Sequence, residues 1–306
     1  MQSRNSIVVT AALVLASCLT GAGLTVRHLD HLRAGATAEA ALYIPSPKIL
    51  QRMSLGYSGL LADIYWTRAV QYFGTQHHLH SMQYKLLSPL LDIATTLDPH
   101  LTVAYEFGAT FLAQKPPEGA GDPDAAVRLV ERGVRENPSE WRLHYNLGFI
   151  HYFERKDYAA AADAFERGSR VPGALPWMKV MAAQMSQHAG DTETARLLWS
   201  NLYQTTENEE IRDNAAKHLR ALQVDEEVSV LEKLTSAFHE RTGRWPASWL
   251  EMTAAGYLRG IPLDPTRRPY RLASGGRVLV QVPGDLPFIT QGGPPEPSKR
   301  PQNESK

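Results

Sequence analysis

The hydrophobic pattern changes rhythm several times along the chain, and each rhythm predicts a different element. Residues 5–26 run for 22 positions without a charge. As a helix rising 1.5 Å per residue, that run reaches about 33 Å against about 30 Å for a bilayer's hydrocarbon core, so one membrane span is expected. Small residues at 34–41, followed by Pro45 and Pro47, forbid a continuing helix and predict a linker. From 57 to 222 apolar residues recur at helical spacing between glycine and proline punctuation, which predicts about four consecutive helix pairs. Residues 225–242 place Val228, Leu231, Leu234 and Phe238 on one stripe with charges between, an amphipathic helix that Gly243 stops. Residues 270–272 and 277–282 flank Ser274, Gly275 and Gly276 and predict a short hairpin. Residues 292–306, rich in proline and polar side chains, are expected to be disordered. The expected organisation is a signal or anchor helix at 1–26, a linker leading into the helices at 27–56, a helical-repeat solenoid at 57–222, a small α+β module at 223–285 and a disordered tail at 286–306. The fold class is mainly α.

Two copies of one unit stand out. Gly108 aligns with Gly148, Ala126 with Ala161, Val130 with Phe165 and Gly133 with Gly168. Leu147, Gly148, Ala161 and Phe165, with Pro99 and Pro138 in closing positions, resemble the tetratricopeptide pattern of a Leu-Gly pair on the first helix, Ala-x3-Phe on the second and a final proline. Small residues let the two helices approach, the aromatic fills the space between them, and proline ends the second helix. Residues 115–123, with their prolines and glycines, cannot extend either helix and read as an inserted loop. Further units follow from Gly190, Asp191, Ala195 and Trp199, from 84–99, and from 208–222.

A wider resemblance begins ahead of the repeats. Tyr43, Pro45, Pro47 and Lys48, then Ser54, Gly56 and Tyr57, then Ala62, Asp63, Trp66, Arg68 and the stretch 70–74 resemble uncharacterised, membrane-anchored tetratricopeptide proteins of bacterial envelopes. The likeness continues through 105–108 and 141–143. It implies an anchor helix and a protein-binding array, and no catalytic residues; Trp66 and Tyr72 read either as core of a capping helix or as binding residues. A second resemblance covers roughly 55 residues after the amphipathic helix. Arg244, Trp245 and Pro246, then Ser248, Leu250, Tyr257, Leu258, Ile261, Pro262, Asp264, Pro265 and Tyr270 resemble the globular part of type II secretion pseudopilins. The hydrophobic pilin stem is missing and no acidic cluster follows Asp264, so neither polymerisation nor calcium binding is implied. The module either caps the repeats or docks on pilus or secretion components.

Composition removes whole classes of function. Lys plus Arg and Asp plus Glu are 32 each, so no net field draws the chain to nucleic acid. The single cysteine, Cys18, allows no intrachain disulfide and no cysteine-rich zinc site. Leu15, Ala16, Ser17 and Cys18 resemble the lipobox of bacterial lipoproteins, which makes Cys18 a candidate lipid attachment site beside the reading of 5–26 as a single-pass anchor; a plain cleaved signal peptide is the third reading. Each places the body outside the cytoplasm, in the cell envelope.

His77, His78 and His80 are the densest histidine cluster, and a metal-dependent envelope enzyme is the alternative they raise. No HExxH helix or carboxylate at ligand spacing accompanies them, and a solvated loop is expected. His28 with His31 and His144 with His151 are read as an interfacial pair and as flanks of a repeat helix. The sequence carries no phosphate-cradling glycine loop and no G-x-S-x-G elbow, so the expectation is a non-enzyme with no metal and no cofactor. The partner-binding candidates are the first-helix positions expected to line a concave face: Tyr105, Leu112, Arg142, Tyr145, Phe149, Tyr152, Trp177 and Gln184. Arg142 and Asn146 stand one helical turn apart like half of a carboxylate clamp, but Thr102 with Glu106 and Trp177 with Met181 do not complete it. The functional expectation is a membrane-tethered scaffold that binds a protein partner in the envelope, with a purely structural assembly component of a pilus or secretion system as a further alternative.

Overall fold

A computed structural model describes residues 46–294 and, ahead of them, 14, 15, 17–21, 23 and 24. Most of the expected anchor, the linker up to residue 45, and residues 295–306 lie outside the described residues. Among the described residues no helix is long and apolar enough to cross a membrane. The chain is mainly helical and divides into two compact units, Met1–Asn137 and Pro138–Lys306.

The first unit contains α1 (Pro47–Met53), α2 (Ser58–His78), α3 (Leu87–Leu97), α4 (Thr102–Ala113) and α5 (Pro123–Glu136). Helix α1 starts inside the expected linker, with Pro47 at its first turn, where a missing N–H costs nothing. Helix α2 packs on α3, and α4 on α5. Ala62, Tyr65, Ala69 and Tyr72 face α3, whose Leu87, Leu90, Leu91, Ile93, Ala94 and Leu97 are all buried. Gly108 allows the approach of neighbouring helices, because a Cβ there would come 2.7 Å from Leu91 Cδ2. The segment between α4 and α5 is tied back rather than bulging: Ala120 N donates to the Phe111 carbonyl, Gly121 N to Gln114 and Asp122 N to Leu112. Asp122 then caps α5 by accepting from Ala125 N at 2.8 Å, ahead of Pro123.

In the second unit, α6 (Trp141–Phe149) continues as a π-helical turn (Ile150–Arg155) that ends at Lys156, φ 55°. There follow α7 (Tyr158–Ser169), α8 (Trp177–His188), α9 (Thr192–Thr205), α10 (Glu209–Thr242) and α11 (Trp249–Ala254). Asp157 and Asp191 cap α7 and α9 as Asp122 caps α5. A Cβ on Gly148 would lie 2.7 Å from the Phe165 ring, and one on Gly168 would collide with Met178 and His144. These glycines and the fully buried Phe165 make the close helix contacts that the repeat pattern predicts.

Helix α10 corrects the expected boundary at 222/223, which falls inside it. No glycine or proline occurs between Glu209 and Thr242, so nothing stops the helix before Gly243, whose φ of 75° ends it. The helix joins two hydrophobic clusters. Ala215 and Leu222 pack with Ala195, Trp199 and Leu202 of α9. Val228, Leu231 and Phe238 pack with Trp249, Met252, Tyr270, Val278, Val280 and Leu286. Strands β1 (Arg271–Leu272) and β2 (Val278–Leu279) pair antiparallel, with Arg271 opposite Leu279 and Leu272 opposite Val278. Buried polar groups fasten this end to α10. Thr235 Oγ1 donates to the Gly276 carbonyl at 2.7 Å and Tyr270 Oη donates to Glu227 Oε2 at 2.6 Å, while beyond α10 Trp249 Nε1 donates to the Tyr270 carbonyl at 2.6 Å.

The expected tail at 286–306 also needs correction over its described part. Leu286 is buried, Thr290 N, Thr290 Oγ1 and Gln291 N all donate to the Asp225 carboxylate at 2.8 Å, and Val280 N donates to the Gly292 carbonyl at 2.9 Å. Composition alone missed this because one carboxylate on α10 satisfies three donors at once.

Candidate functional site

Trp141, Tyr145, Phe149 and Phe153 follow one another at four-residue steps, so α6 and the π turn carry their rings along one side. Tyr145 meets Phe149 edge-on at 4.7 Å, and Phe149 stacks on Phe153 at 5.4 Å. Trp177, at the start of α8, closes on Tyr145 at 5.4 Å, and Tyr152 reaches Tyr158 of α7. Beneath them lie the buried Phe165, Met178, Ala182 and Met185, so the rings are held from below. Above, Trp141, Tyr145, Phe149, Tyr152 and Trp177 stay partly open to water, and Phe153 is 52% exposed. Arg142 lies over the Trp141 ring, 4.8 Å from its centroid, while its Nη1 donates to Glu140 Oε1 at 3.1 Å. Lys156 sits over Tyr152. The result is an aromatic surface edged by cations, on a scaffold whose rotamers are fixed by packing.

Six of the eight predicted interaction residues belong to this second unit: Arg142, Tyr145, Phe149, Tyr152, Trp177 and Gln184. Gln184 lies further along α8 and is partly exposed. Tyr105 and Leu112 are a correction. Both are buried in the first unit, Tyr105 completely, with its ring over Gly133 and its hydroxyl donating to the Thr95 carbonyl at 3.3 Å. Burial pushes the Tyr105 phenol pKa upward. Neither side chain is available to a partner. Trp141, Phe153 and Met181 complete the surface and were not among the expected residues, although the four-residue aromatic spacing was the signal that could have found the first two.

The first unit has an aromatic group of a different kind. Phe73 of α2 stacks on Phe111 of α4 at 3.9 Å, flanked by Trp66 and Tyr84, with Phe107 outermost. Trp66 is half-buried and Tyr72 buried. A groove of about 630 Å³ between α3 and α5 is lined by Arg128, Arg132, Arg135, Asp92 and Glu131, and Arg132 is held by Asp92 at 2.7 Å and by Thr95. In the second unit a groove of about 680 Å³ runs along α10, where Arg196 pairs with Glu226 at 2.7 Å.

His77, His78 and His80 are exposed, His77 Nδ1 lying 3.2 Å from the Pro117 carbonyl. Among the described residues no group of three or more His, Cys, Asp or Glu is placed to hold a metal. His218 is sandwiched between Trp199 and Phe288, 4.1 Å from each, with Nδ1 2.9 Å from Gln187 Oε1. Burial, helped by nearby His188, lowers its pKa to about 4, so the ring is a neutral packing element. His144 is likewise shifted down by burial and by Arg167. Cys18 is an exposed free thiol.

No protein-family model matches the chain, and no curated protein is similar enough to count as a match.

Proposed function

We propose that the protein is a non-enzymatic, membrane-tethered scaffold of the bacterial cell envelope that binds a protein partner through the aromatic surface of α6, the π turn and α8. The observation that carries this reading is the row Trp141, Tyr145, Phe149 and Phe153 with Trp177, fixed from below and open above. Rigid aromatic rings beside an arginine bury much area on binding and lose little conformational freedom, which is why such residues dominate interface energetics. The helix pairs belong to a tetratricopeptide-like array. That reading is supported by the glycine contacts and by the capping aspartates Asp122, Asp157 and Asp191, which recur at 35- and 34-residue intervals. The elements after α10 form a pseudopilin-like α+β module that caps the array or docks on pilus or secretion components.

The tether, whether a span at 5–26 or a lipid on Cys18, raises the local concentration of any membrane partner. In-cell crosslinking followed by mass spectrometry identifies the partner. Tyr145→Ala and Phe149→Ala are expected to weaken its capture by about tenfold each while leaving membrane location unchanged. Unchanged capture by both variants rejects the surface. Loss of capture only on deletion of the residues after α10 assigns recognition to the C-terminal module instead.

A further inference from the structure

We propose that α1, the turn after it and the start of α2 form a second membrane contact, lying in the interface between lipid headgroups and acyl chains. Ile49, Met53, Leu55, Tyr57, Leu60 and Ile64 are all exposed, Leu55 by 87% and Met53 and Tyr57 by 70% each. Helix α1 buries none of its seven residues. Scattered apolar side chains on a surface are ordinary, but six within sixteen residues mark a surface that meets something apolar.

The backbone presents this face at a cost. In the turn Ser54–Tyr57, closed by Tyr57 N donating to the Ser54 carbonyl at 2.8 Å, Leu55 has φ 49° and Gly56 φ 92°. A left-handed conformation is unfavourable for a leucine, whose Cβ crowds the following carbonyl. Here it turns the leucine into water, where an apolar side chain gains nothing.

Charge selects the occupant. Between residues 46 and 75 the charged residues are Lys48, Arg52, Asp63 and Arg68, a basic excess. Apolar and tyrosine side chains with basic neighbours suit an anionic lipid interface. A second copy of the chain meeting this face through two-fold symmetry would bring Lys48 and Arg52 of both copies into one contact, which opposes it. The charge-free run at 5–26 precedes the patch by a linker whose 19 residues, 27–45, can extend at most about 65 Å. A chain anchored by that run holds the patch within reach of the same bilayer. The inference therefore rests on the tethered reading given above, and adds a contact that fixes the orientation of the first unit.

The test uses the full chain with the fluorescent residue dansylalanine in place of Leu55, and a reference protein with it in place of the exposed Arg220. Both are bound to vesicles of phosphatidylcholine containing phosphatidylglycerol. The label at 55 is expected to emit further to the blue and to be quenched about twofold more than the reference when brominated lipids are used. Equal quenching at the two positions, with the protein still floating on the vesicles, overturns the contact and leaves the tether standing. A blue shift without lipid quenching means that protein, from residues 27–45 or another chain, covers the patch, and it overturns the contact too. Failure of the chain to float with the vesicles at all overturns both the contact and the tether.

Discussion

The pairs α4/α5 and α6/α7 share one sequence template and yet expose different side chains. Tyr105 and Tyr145 are equivalent by alignment on Gly108 and Gly148, but the first is buried completely and the second lies in the open aromatic surface. The difference lies in what covers the glycine of the second helix. Over Gly133 it is the Tyr105 ring; over Gly168 it is His144, one position earlier in the aligned frame, together with Met178. One residue along a helix is about 100° of rotation. That step carries the tyrosine from the seam between two helices to the face shared with α8, where Trp177 supports it. Equivalent positions in a repeat are thus equivalent in sequence and not in exposure.

The largest expected effect tests the buried side of this comparison. Tyr105→Ala and Phe165→Ala each remove a fully buried ring, and each should destabilise its own unit by about 3–5 kcal/mol, measured as accelerated amide hydrogen exchange in α4/α5 and α6/α7 respectively. An effect of Tyr105→Ala as small as that of an exposed residue would break the comparison.

Acid should separate the units next. His218 titrates at about 4 in the folded chain against 6.5 ordinarily. As pH falls below 6.5 the unfolded chain takes up the proton first, so stability that is complete above 6.5 drains away down to about 4, by up to about 3 kcal/mol. His144, shifted in the same direction, adds to the loss. The described histidines of the first unit, His77, His78, His80 and His100, are exposed. Hydrogen exchange at pH 7 and pH 4.5 should therefore show the second unit loosening before the first, and His218→Phe, which keeps a ring between Trp199 and Phe288, should flatten most of that slope.

Partner binding sharpens the exposed side. Tyr145→Ala should lose about tenfold in affinity, near 1.4 kcal/mol, with a smaller effect on unfolding than Tyr105→Ala. Equal losses of stability in the two variants would remove the distinction between seam and surface. The smallest effect should be the same in both units. Asp122→Ala, Asp157→Ala and Asp191→Ala each delete one side-chain cap and should cost about 1 kcal/mol in urea denaturation. A cap that costs nothing would mean that its helix is held by packing alone.

The sequence was most legible where a residue's role is local. Gly243 stops α10 because only its backbone is involved, and the expected strands at 270–272 and 277–282 contain the pairing of Arg271 and Leu272 with Leu279 and Val278. Gly108 and Gly148 marked the helix contacts because the absence of a side chain is itself the contact. Division of α10 at 222/223 was an error of a different sort. It followed the change from repeat-like spacing to an amphipathic stripe beginning at residue 225, with no glycine or proline to support it. The tail was misread because Leu286, Thr290 and Gln291 gain their partners from α10, far away in sequence.

By itself, then, the sequence determined the helical pairing, the glycines that close it, the glycine that stops α10, the four-residue spacing of the aromatic row, and the balance of charge. Each of these depends on residues within a few turns of one another or on simple counts. Tertiary structure alone decided that Tyr105 turns inward while Tyr145 turns outward, that Asp225 holds the segment after Leu286, and that Ile49 and Met53 of α1 are left exposed. Those outcomes depend on which neighbouring surface arrives to bury each face, and a helix rotation of one residue is enough to change the answer.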